Sequence, residues 1–184
     1  MHDLLAWLSR RPLWFLHAIG AALGWITWAA SPSYRRRFAE NSAGAGISAR
    51  AARPAIAAAG RMVLELPFLW LRPHESRLGN LVRMEGEELI AAAHERGRGI
   101  VILTPHLGCF EVTAQAYAER HAAAHGPITV LYRPARKAVL RAVVADSRHR
   151  PGLAAAPANF AGVRQMMRAL RRGEAVGLLP DQVP

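Results

Sequence analysis

Residues 13–30 form an apolar stretch of 18 residues without a formal charge. A helix needs about 20 predominantly apolar residues to cross a bilayer, so this stretch predicts a membrane anchor over residues 1–33. Arginines flank the stretch on both sides, and tryptophans lie toward its two ends, where indole rings favour the membrane interface. The stretch is long for a signal peptide, and no clear A-x-A cleavage site follows it. The alternative is a buried helix of a soluble domain.

Residues 31–71 are predicted to be helical with one interruption. A proline and two glycines break the apolar pattern after the anchor and predict a short basic helix followed by a loop. Ser48 is placed to cap the next helix, which Pro67 is expected to kink or end. Residues 62–71 of that helix are strongly apolar and either pack in a core or provide a second membrane-contacting surface.

From residue 83 onward, predicted strands alternate with predicted helices. The strands are residues 99–104, 128–132 and 175–180, the helices are residues 86–97, 108–125, 135–150 and 159–173, and a loop covers residues 151–158. Strands that are apolar on both faces and alternate with helices imply a parallel sheet covered by helices. We therefore expect an α/β fold over residues 34–184, with a mostly parallel sheet flanked by helices and an N-terminal membrane-associated helix.

Each predicted strand is followed by a polar residue that is able to do chemistry. His106 follows the first strand, and Arg133 follows the second. Asp181 and Gln182 follow the third. Ligands of open parallel sheets bind beyond the carboxyl ends of the strands. We expect these four side chains to gather at one edge of the sheet, where they form a candidate site.

His106 and Glu111 form a histidine-x4-glutamate pattern. A histidine can take a proton from a hydroxyl group, and a carboxylate bonded to its second ring nitrogen fixes its tautomer. The two residues can meet only if His106 lies in a turn and Glu111 lies in the first turn of the following helix. Gly108 gives that turn its conformational freedom. The pattern by itself is weak, and the alternative is a capped histidine in a loop.

Two neighbouring residues leave alternatives open. Asp181 could orient His106, bind a substrate hydroxyl, or only cap a turn. Cys109 could act as a nucleophile at a helix start, although three residues from His106 in a tight turn is poor geometry for attack. A small apolar contact is the favoured interpretation of Cys109. The sequence contains no G-x-S-x-G motif, no P-loop and no G-x-G-x-x-G motif.

Metal binding is not expected. His121 and His125 are spaced four apart, but no carboxylate cluster stands near them in the sequence. We interpret this pair as an exposed helix end.

The charge of the chain favours an anionic partner. Of 24 basic residues all but Lys137 are arginines, and the formal net charge is +11. Such an excess suggests nucleic acid, an anionic membrane face, a phosphorylated substrate or an acidic protein. Arg164 belongs to a basic rim on the predicted helices, most of which is solvated. A nucleic-acid-binding module would need aromatic residues among the arginines, whereas the aromatic residues cluster in the apolar N-terminal segments. The single cysteine excludes an intramolecular disulfide.

Several blocks of the chain resemble one family. The blocks RGRGIVILTPHLGCFE, LYRP and FAGVRQMMRALRRGEAVGLLPDQVP, with ELP and VRMEGEELIAAA upstream, are similar to the bacterial lipid A late acyltransferases, the lauroyl/myristoyl transferases within the wider lysophospholipid acyltransferase group. The family's histidine and acidic residue fall on His106 and Glu111, its arginine–proline block on Arg133 and Pro134, and its Pro-Asp-Gln block on Pro180, Asp181 and Gln182.

The chain departs from the family pattern in two respects. Cys109 and Phe110 stand where the family often has asparagine and tryptophan, which is expected to change packing more than chemistry. Family members usually continue well beyond this length, so the resemblance implies a fragment or a truncated product.

The resemblance implies a reaction at the inner membrane, on its cytoplasmic face. An acyl thioester on acyl carrier protein would donate its acyl group to a hydroxyl of a phosphorylated glucosamine lipid. His106 would deprotonate the hydroxyl, Glu111 would hold His106, and the helix start or Arg133 would stabilise the oxyanion. Arg133, Arg164, Asp181 and Gln182 would contact substrate. No metal or organic cofactor is implied beyond the donor's pantetheine arm. The alternatives are an acyltransferase for another membrane glycolipid or phospholipid, such as phosphatidylinositol mannosides, and an inactive membrane-bound fragment.

Overall fold

The computed structural model describes residues 2–73, 75–132 and 150–181. The chain divides into two compact units, Met1–Leu69 and Trp70–Pro184. The predicted anchor lies in the first unit, and the predicted sheet lies in the second. Two predicted site residues, Arg133 and Gln182, lie outside the described residues, as does nearly all of the helix predicted over 135–150.

The first unit is helical. Its helices are α1 (His2–Ser9), α2 (Leu13–Ala30), α3 (Pro32–Gly44) and α4 (Ala49–Leu71). The predicted cap of α4 is confirmed, because the Ala51 amide donates to the Ser48 hydroxyl at 3.3 Å. The alternative that Pro67 ends the helix is wrong, since α4 continues through this buried proline to Leu71, whereas a kink at Pro67 stays a prediction. Proline lacks the backbone N–H, so α4 loses one helical hydrogen bond at this position. The buried side chain of Leu69 lies in the turn that follows.

Small residues bring α2 and α4 into backbone contact. Gly20 lies against Gly60, and Gly24 lies against Ile56, so the two helices run antiparallel. A Cβ at Gly60 would lie 1.9 Å from the Gly20 carbonyl oxygen, which no side chain allows. Close approach through glycines spaced four apart is a packing mode of helices in membranes.

Both α2 and α4 are long and apolar enough to cross a membrane. Only 17% of the α2 window and 22% of the α4 window are buried. Large apolar side chains, among them Trp14 and Ile26, are exposed on α2. The small buried share of both helices favours membrane association over the buried-helix alternative.

The second unit contains a four-stranded sheet in which every pair is parallel. Its strands are β1 (Ile100–Leu103), β2 (Ile128–Tyr132), β3 (Leu153–Pro157) and β4 (Ala175–Leu178), in the spatial order β1-β4-β2-β3. The predicted α/β class with a mostly parallel sheet is therefore confirmed. The loop predicted over 151–158 is wrong, because its alanines form β3. Alanine has little intrinsic preference for strands, so the local sequence did not indicate β3. The strand forms because its backbone pairs with β2.

Helices cover both faces of the sheet. They are α5 (Glu87–His94), α6 (Glu111–Arg120), α7 (Ala122–His125) and α8 (Phe160–Arg171), with a 3₁₀ turn at Gly79–Leu81. On one face, Tyr117 of α6 packs with Ile100 and Ile128 of the strands, and α5 adds partly buried side chains. On the other face, Met166 of α8 packs against Val176. Asn159 caps α8 as predicted, accepting hydrogen bonds from two amides of its first turn.

A buried arginine fixes the position of α6. The Arg72 guanidinium donates from Nη2 to Gln115 at 2.9 Å and to Glu119 at 2.7 Å. Glu119 also accepts the Leu78 amide, and Arg150 donates to the Arg72 carbonyl. The segment after α4, helix α6 and the approach to β3 are thereby joined through charged hydrogen bonds, which are stronger than neutral ones.

His94 of α5 forms a cluster with three other ring side chains, those of Tyr117, His121 and His125. His94 Nε2 and the Tyr117 hydroxyl are 2.8 Å apart, and His94 stacks on His125 with ring centroids 4.3 Å apart. His121 is only 8% exposed and lies 3.2 Å from Glu87. The expected exposed helix end at His121 and His125 is therefore wrong, because α5 packs over it.

Burial is the largest cause of the pKa shifts in this cluster. Burial first, and then the charge of His125, lowers the pKa of His94. Burial also lowers the pKa of His121 and outweighs the opposing effect of Glu87. Burial and the nearby Glu174 raise the pKa of Tyr117 to about 12. Both imidazoles are thus held neutral in the folded state more strongly than in the unfolded chain.

The packing of α2 on α4 predicts a contrast between two glycines. Gly60→Ala should destabilise the first unit by about 1–3 kcal/mol, because its new methyl group must push the helices apart. Gly44→Ala is the matched control: nothing lies within 4 Å of its new Cβ, so it should be neutral or stabilising by up to about 1 kcal/mol. Tryptophan fluorescence during urea unfolding measures both effects. Equal stability of the two variants would contradict the close approach.

The histidine cluster predicts a loss of stability in mild acid. Because the folded-state pKa values of His94 and His121 lie below the unfolded value, their contribution is complete above about pH 6.5 and declines as the pH falls through the lower folded values. The free energy of unfolding should fall over this range. His121→Gln should show a shallower decline, with His17→Gln in the other unit as the control. Parallel pH profiles for all three proteins would contradict this assignment.

Candidate active site

The carboxyl ends of β1 and β4 lie side by side. Leu103 pairs with Leu178, and the Thr104 amide donates to the Leu178 carbonyl at 2.9 Å, which extends the pairing by one residue. The chain leaves both strands at the same corner of the sheet. His106 and Asp181, which are 75 positions apart in the sequence, therefore emerge next to each other.

Asp181 binds His106 through both carboxylate oxygens. Oδ1 lies 2.7 Å from His106 Nδ1, and Oδ2 accepts the His106 backbone amide at 2.7 Å. These hydrogen bonds, that of the side chain first and then that of the amide, lower the pKa of Asp181. An ionised carboxylate only accepts hydrogen bonds, so Nδ1 carries the proton. In the neutral imidazole the lone pair is then on Nε2, which is the atom able to accept a proton.

The turn after His106 holds the imidazole at the surface. Gly108 adopts a φ of +58°, the left-handed conformation that glycine tolerates best. The chain then turns so that the Phe110 ring packs edge-on against His106, with centroids 4.7 Å apart. The His106 side chain is 29% exposed and that of Asp181 is 38% exposed, so a substrate can reach the pair.

Glu111 is the first residue of α6 and is half-buried. His106 lies in the preceding turn, which is the arrangement that pairing with Glu111 requires. Asp181 is the carboxylate bound at Nδ1, however, and the role of Glu111 as a partner of His106 stays a prediction. At the same helix start, the Val112 and Thr113 amides donate to the carbonyls of Cys109 and Phe110. Those two amides are therefore engaged within the turn.

The structure thus joins two of the six predicted site residues directly. Arg164 is exposed on α8, and within residues 2–73, 75–132 and 150–181 no hydrogen bond or ion pair connects it to His106 or Asp181. Arg133 and Gln182 are outside the described residues.

Two contacts of His106, with Phe110 and with Asp181, could not be predicted from the sequence pattern alone. The packing of Phe110 on His106 carried no sequence signal beyond an aromatic residue in the turn. The orienting role of Asp181 was one of three alternatives. Choosing among them required knowing that β4 neighbours β1, which the order of strands along the chain does not reveal.

Ligands of open parallel sheets bind beyond the carboxyl ends of the strands, and a histidine that a carboxylate orients there is able to transfer a proton. The fold and this pair therefore define an α/β protein with a candidate site for acid–base chemistry. Residues 47–184 match the family model of the bacterial lipid A biosynthesis acyltransferases, and the chain belongs to that family. A search of curated proteins gave no match. The resemblance noted in the sequence is thereby confirmed, and the protein is an acyltransferase of the lipid A type.

The contact between Asp181 and His106 predicts that removing the Asp181 charge lowers the rate of acyl transfer. Asp181→Asn keeps an acceptor near Nδ1 but loses the carboxylate that steadies the protonated imidazole, so kcat for acyl transfer should fall on the order of a hundredfold with little change in KM. Glu174→Gln is the matched control, because Glu174 is an ion-paired carboxylate at the opposite end of the same strand. Steady-state kinetics measure both variants. If Asp181→Asn and Glu174→Gln both lower kcat by the same small factor, Asp181 only caps the turn.

Proposed function

We propose that this protein transfers a fatty acyl group from an acyl carrier protein thioester to a hydroxyl of a phosphorylated glucosamine lipid, the precursor of lipid A. The observation that carries the proposal is the bond between Asp181 and His106 Nδ1, 2.7 Å long, which leaves Nε2 as the basic atom of an accessible imidazole. Membership of the lipid A acyltransferase family supports the class of acceptor.

In the proposed reaction, His106 Nε2 removes the proton of the acceptor hydroxyl while its oxygen attacks the thioester carbonyl. A carbon–oxygen bond forms, and the carbonyl oxygen becomes an oxyanion. When the intermediate collapses, the carbon–sulfur bond breaks, and the imidazolium returns its proton to the departing thiolate. The products are the ester and the free thiol of the carrier. Asp181 holds the imidazole throughout and stabilises its protonated form.

The other predicted residues receive supporting roles in this proposal. Glu111, at the positive end of the α6 dipole, adds a second negative charge near His106 that favours the protonated imidazole without occupying Nε2. Arg133 stabilises the oxyanion or binds phosphate. Gln182 and Arg164 contact the acceptor. The proposed reaction uses no cofactor other than the pantetheine arm of the donor.

Charge and apolar surface support the proposed partners. A net charge of +11 suits an acidic carrier protein and a phosphorylated glycolipid. Helices α2 and α4, each long enough to cross a bilayer, support a location at the membrane that holds the acceptor. We place the enzyme at the inner membrane with its site on the cytoplasmic face, where acyl carrier protein is found.

The base assignment predicts distinct outcomes for two variants. His106→Ala should lower acyl transfer by on the order of 10² to 10⁴, because no other group replaces Nε2. Glu111→Ala should lower the rate strongly if Glu111 is a second carboxylate of the site. The assay measures transfer from radiolabelled acyl carrier protein to the lipid A precursor in detergent. Wild-type turnover of His106→Ala would refute the base, and an unchanged Glu111→Ala would limit Glu111 to starting the helix.

Membrane sedimentation of both variants is the control, since neither substitution alters the first unit.

The acceptor is tested separately by mass spectrometry of lipid A from a strain with and without the gene. A missing acyl chain in the gene-deleted strain supports the proposal. Unchanged lipid A with an altered phospholipid or another glycolipid would reassign the acceptor while leaving the base intact.

A further inference from the structure

The first unit contains a cavity that the proposed reaction does not use. Its volume is about 320 Å³, and it lies between the end of α2, helix α3 and the start of α4. Its walls are mainly apolar, formed by side chains such as Trp28, Phe38 and Ile56. Two guanidinium groups, those of Arg35 and Arg53, also line it. Pockets that bind small molecules have this make-up, with apolar walls and a few charged groups that fix orientation.

Indole rings hold both arginines at the cavity. The Arg35 guanidinium lies over Trp28, 5.8 Å from the ring centroid, and that of Arg53 lies 5.7 Å from the Trp25 ring. The two indoles contact each other edge to face, with centroids 5.8 Å apart. Arg35 also donates to the carbonyl of Trp28 at 3.0 Å. The two positive charges are therefore positioned by aromatic and backbone contacts.

The cavity lacks a matching negative charge. Among residues 2–73, Glu40 is the one acidic residue between positions 31 and 53, and it lies 3.8 Å from Arg36. The ion pairs of the described residues include neither Arg35 nor Arg53. Arg36, Arg37 and Arg50 add further positive charge to the segment between the end of α2 and the first turn of α4.

We propose that this cavity binds one anionic phospholipid. The lipid phosphate lies between Arg35 and Arg53, and one acyl chain lies against the apolar wall. Guanidinium groups recognise phosphate oxygens through charged hydrogen bonds, and the apolar wall gains from covering by hydrocarbon. A free phosphate ion would leave the wall uncovered, whereas a zwitterionic lipid would add a positive choline beside two guanidiniums. The lining of this cavity does not include His106, and the proposed occupant is a lipid other than the acyl acceptor.

Native mass spectrometry of the full chain in detergent tests the proposal. Phosphatidylglycerol should form a one-to-one adduct that phosphatidylcholine forms far less, and added inorganic phosphate should not displace it. Arg53→Ala should reduce the adduct roughly tenfold or more, because it removes a charged hydrogen bond. Ala43→Phe, at a lining position, should reduce it by filling the cavity. Arg37→Ala is the matched control, since Arg37 is exposed on α3 outside the lining, and its adduct should stay within about twofold.

Three outcomes would overturn the proposal. Equal loss in Arg37→Ala and Arg53→Ala would show a diffuse attraction by surface charge. Equal adducts with both lipids would remove the role of the arginines, and displacement by inorganic phosphate would show an ion site without a lipid chain. Arg53→Ala leaves intact the hydrogen bond from Arg35 to the Trp28 carbonyl near the end of α2. Circular dichroism of each variant verifies that its helices are formed. Acyl transfer by Arg53→Ala in detergent should be unchanged, which separates this site from the proposed catalytic one.

Discussion

The parallel pairing of β1 with β4 is the constraint on which the candidate active site depends. Residue-by-residue registry from Ile100↔Ala175 to Leu103↔Leu178 fixes where both strands end. A shift of one residue in that registry would turn every side chain of one strand to the opposite face and move His106 away from Asp181. The buried side chains that line both faces of the sheet resist such a shift, so the packing of the core and the geometry of the candidate site are set by the same contacts.

Buried polar contacts complement this registry by fixing the helices. Arg72 and Glu119 form an ion pair at the end of α6, while Tyr117 and His94 join its middle to α5. Removing one member of such a pair leaves its partner buried and unsatisfied, which costs more than the bond contributes. These contacts hold α6 at both its end and its middle. The start of the helix, which carries Glu111 just after the His106 turn, is therefore positioned by interactions remote from the candidate site.

The two units follow different packing rules that suit a lipid-modifying enzyme. The second unit buries its apolar residues on a sheet, whereas the first joins α2 to α4 through glycine contacts and leaves large apolar side chains exposed. Arginines lie over indole rings both before the start of α2 and toward its end. Exposed apolar surface with adjacent arginines favours association with a membrane.

The sequence by itself determined what local physics controls. The length and apolarity of residues 13–30, the cap at Asn159 and the alternation of strands with helices all predicted elements that the structure contains. Tertiary structure decided the rest. The alanines of β3 became a strand through pairing with β2, and α4 passed through Pro67. Only the order of the sheet brought Asp181 to His106, because contacts between residues far apart in the chain depend on how the whole core packs and not on any local pattern.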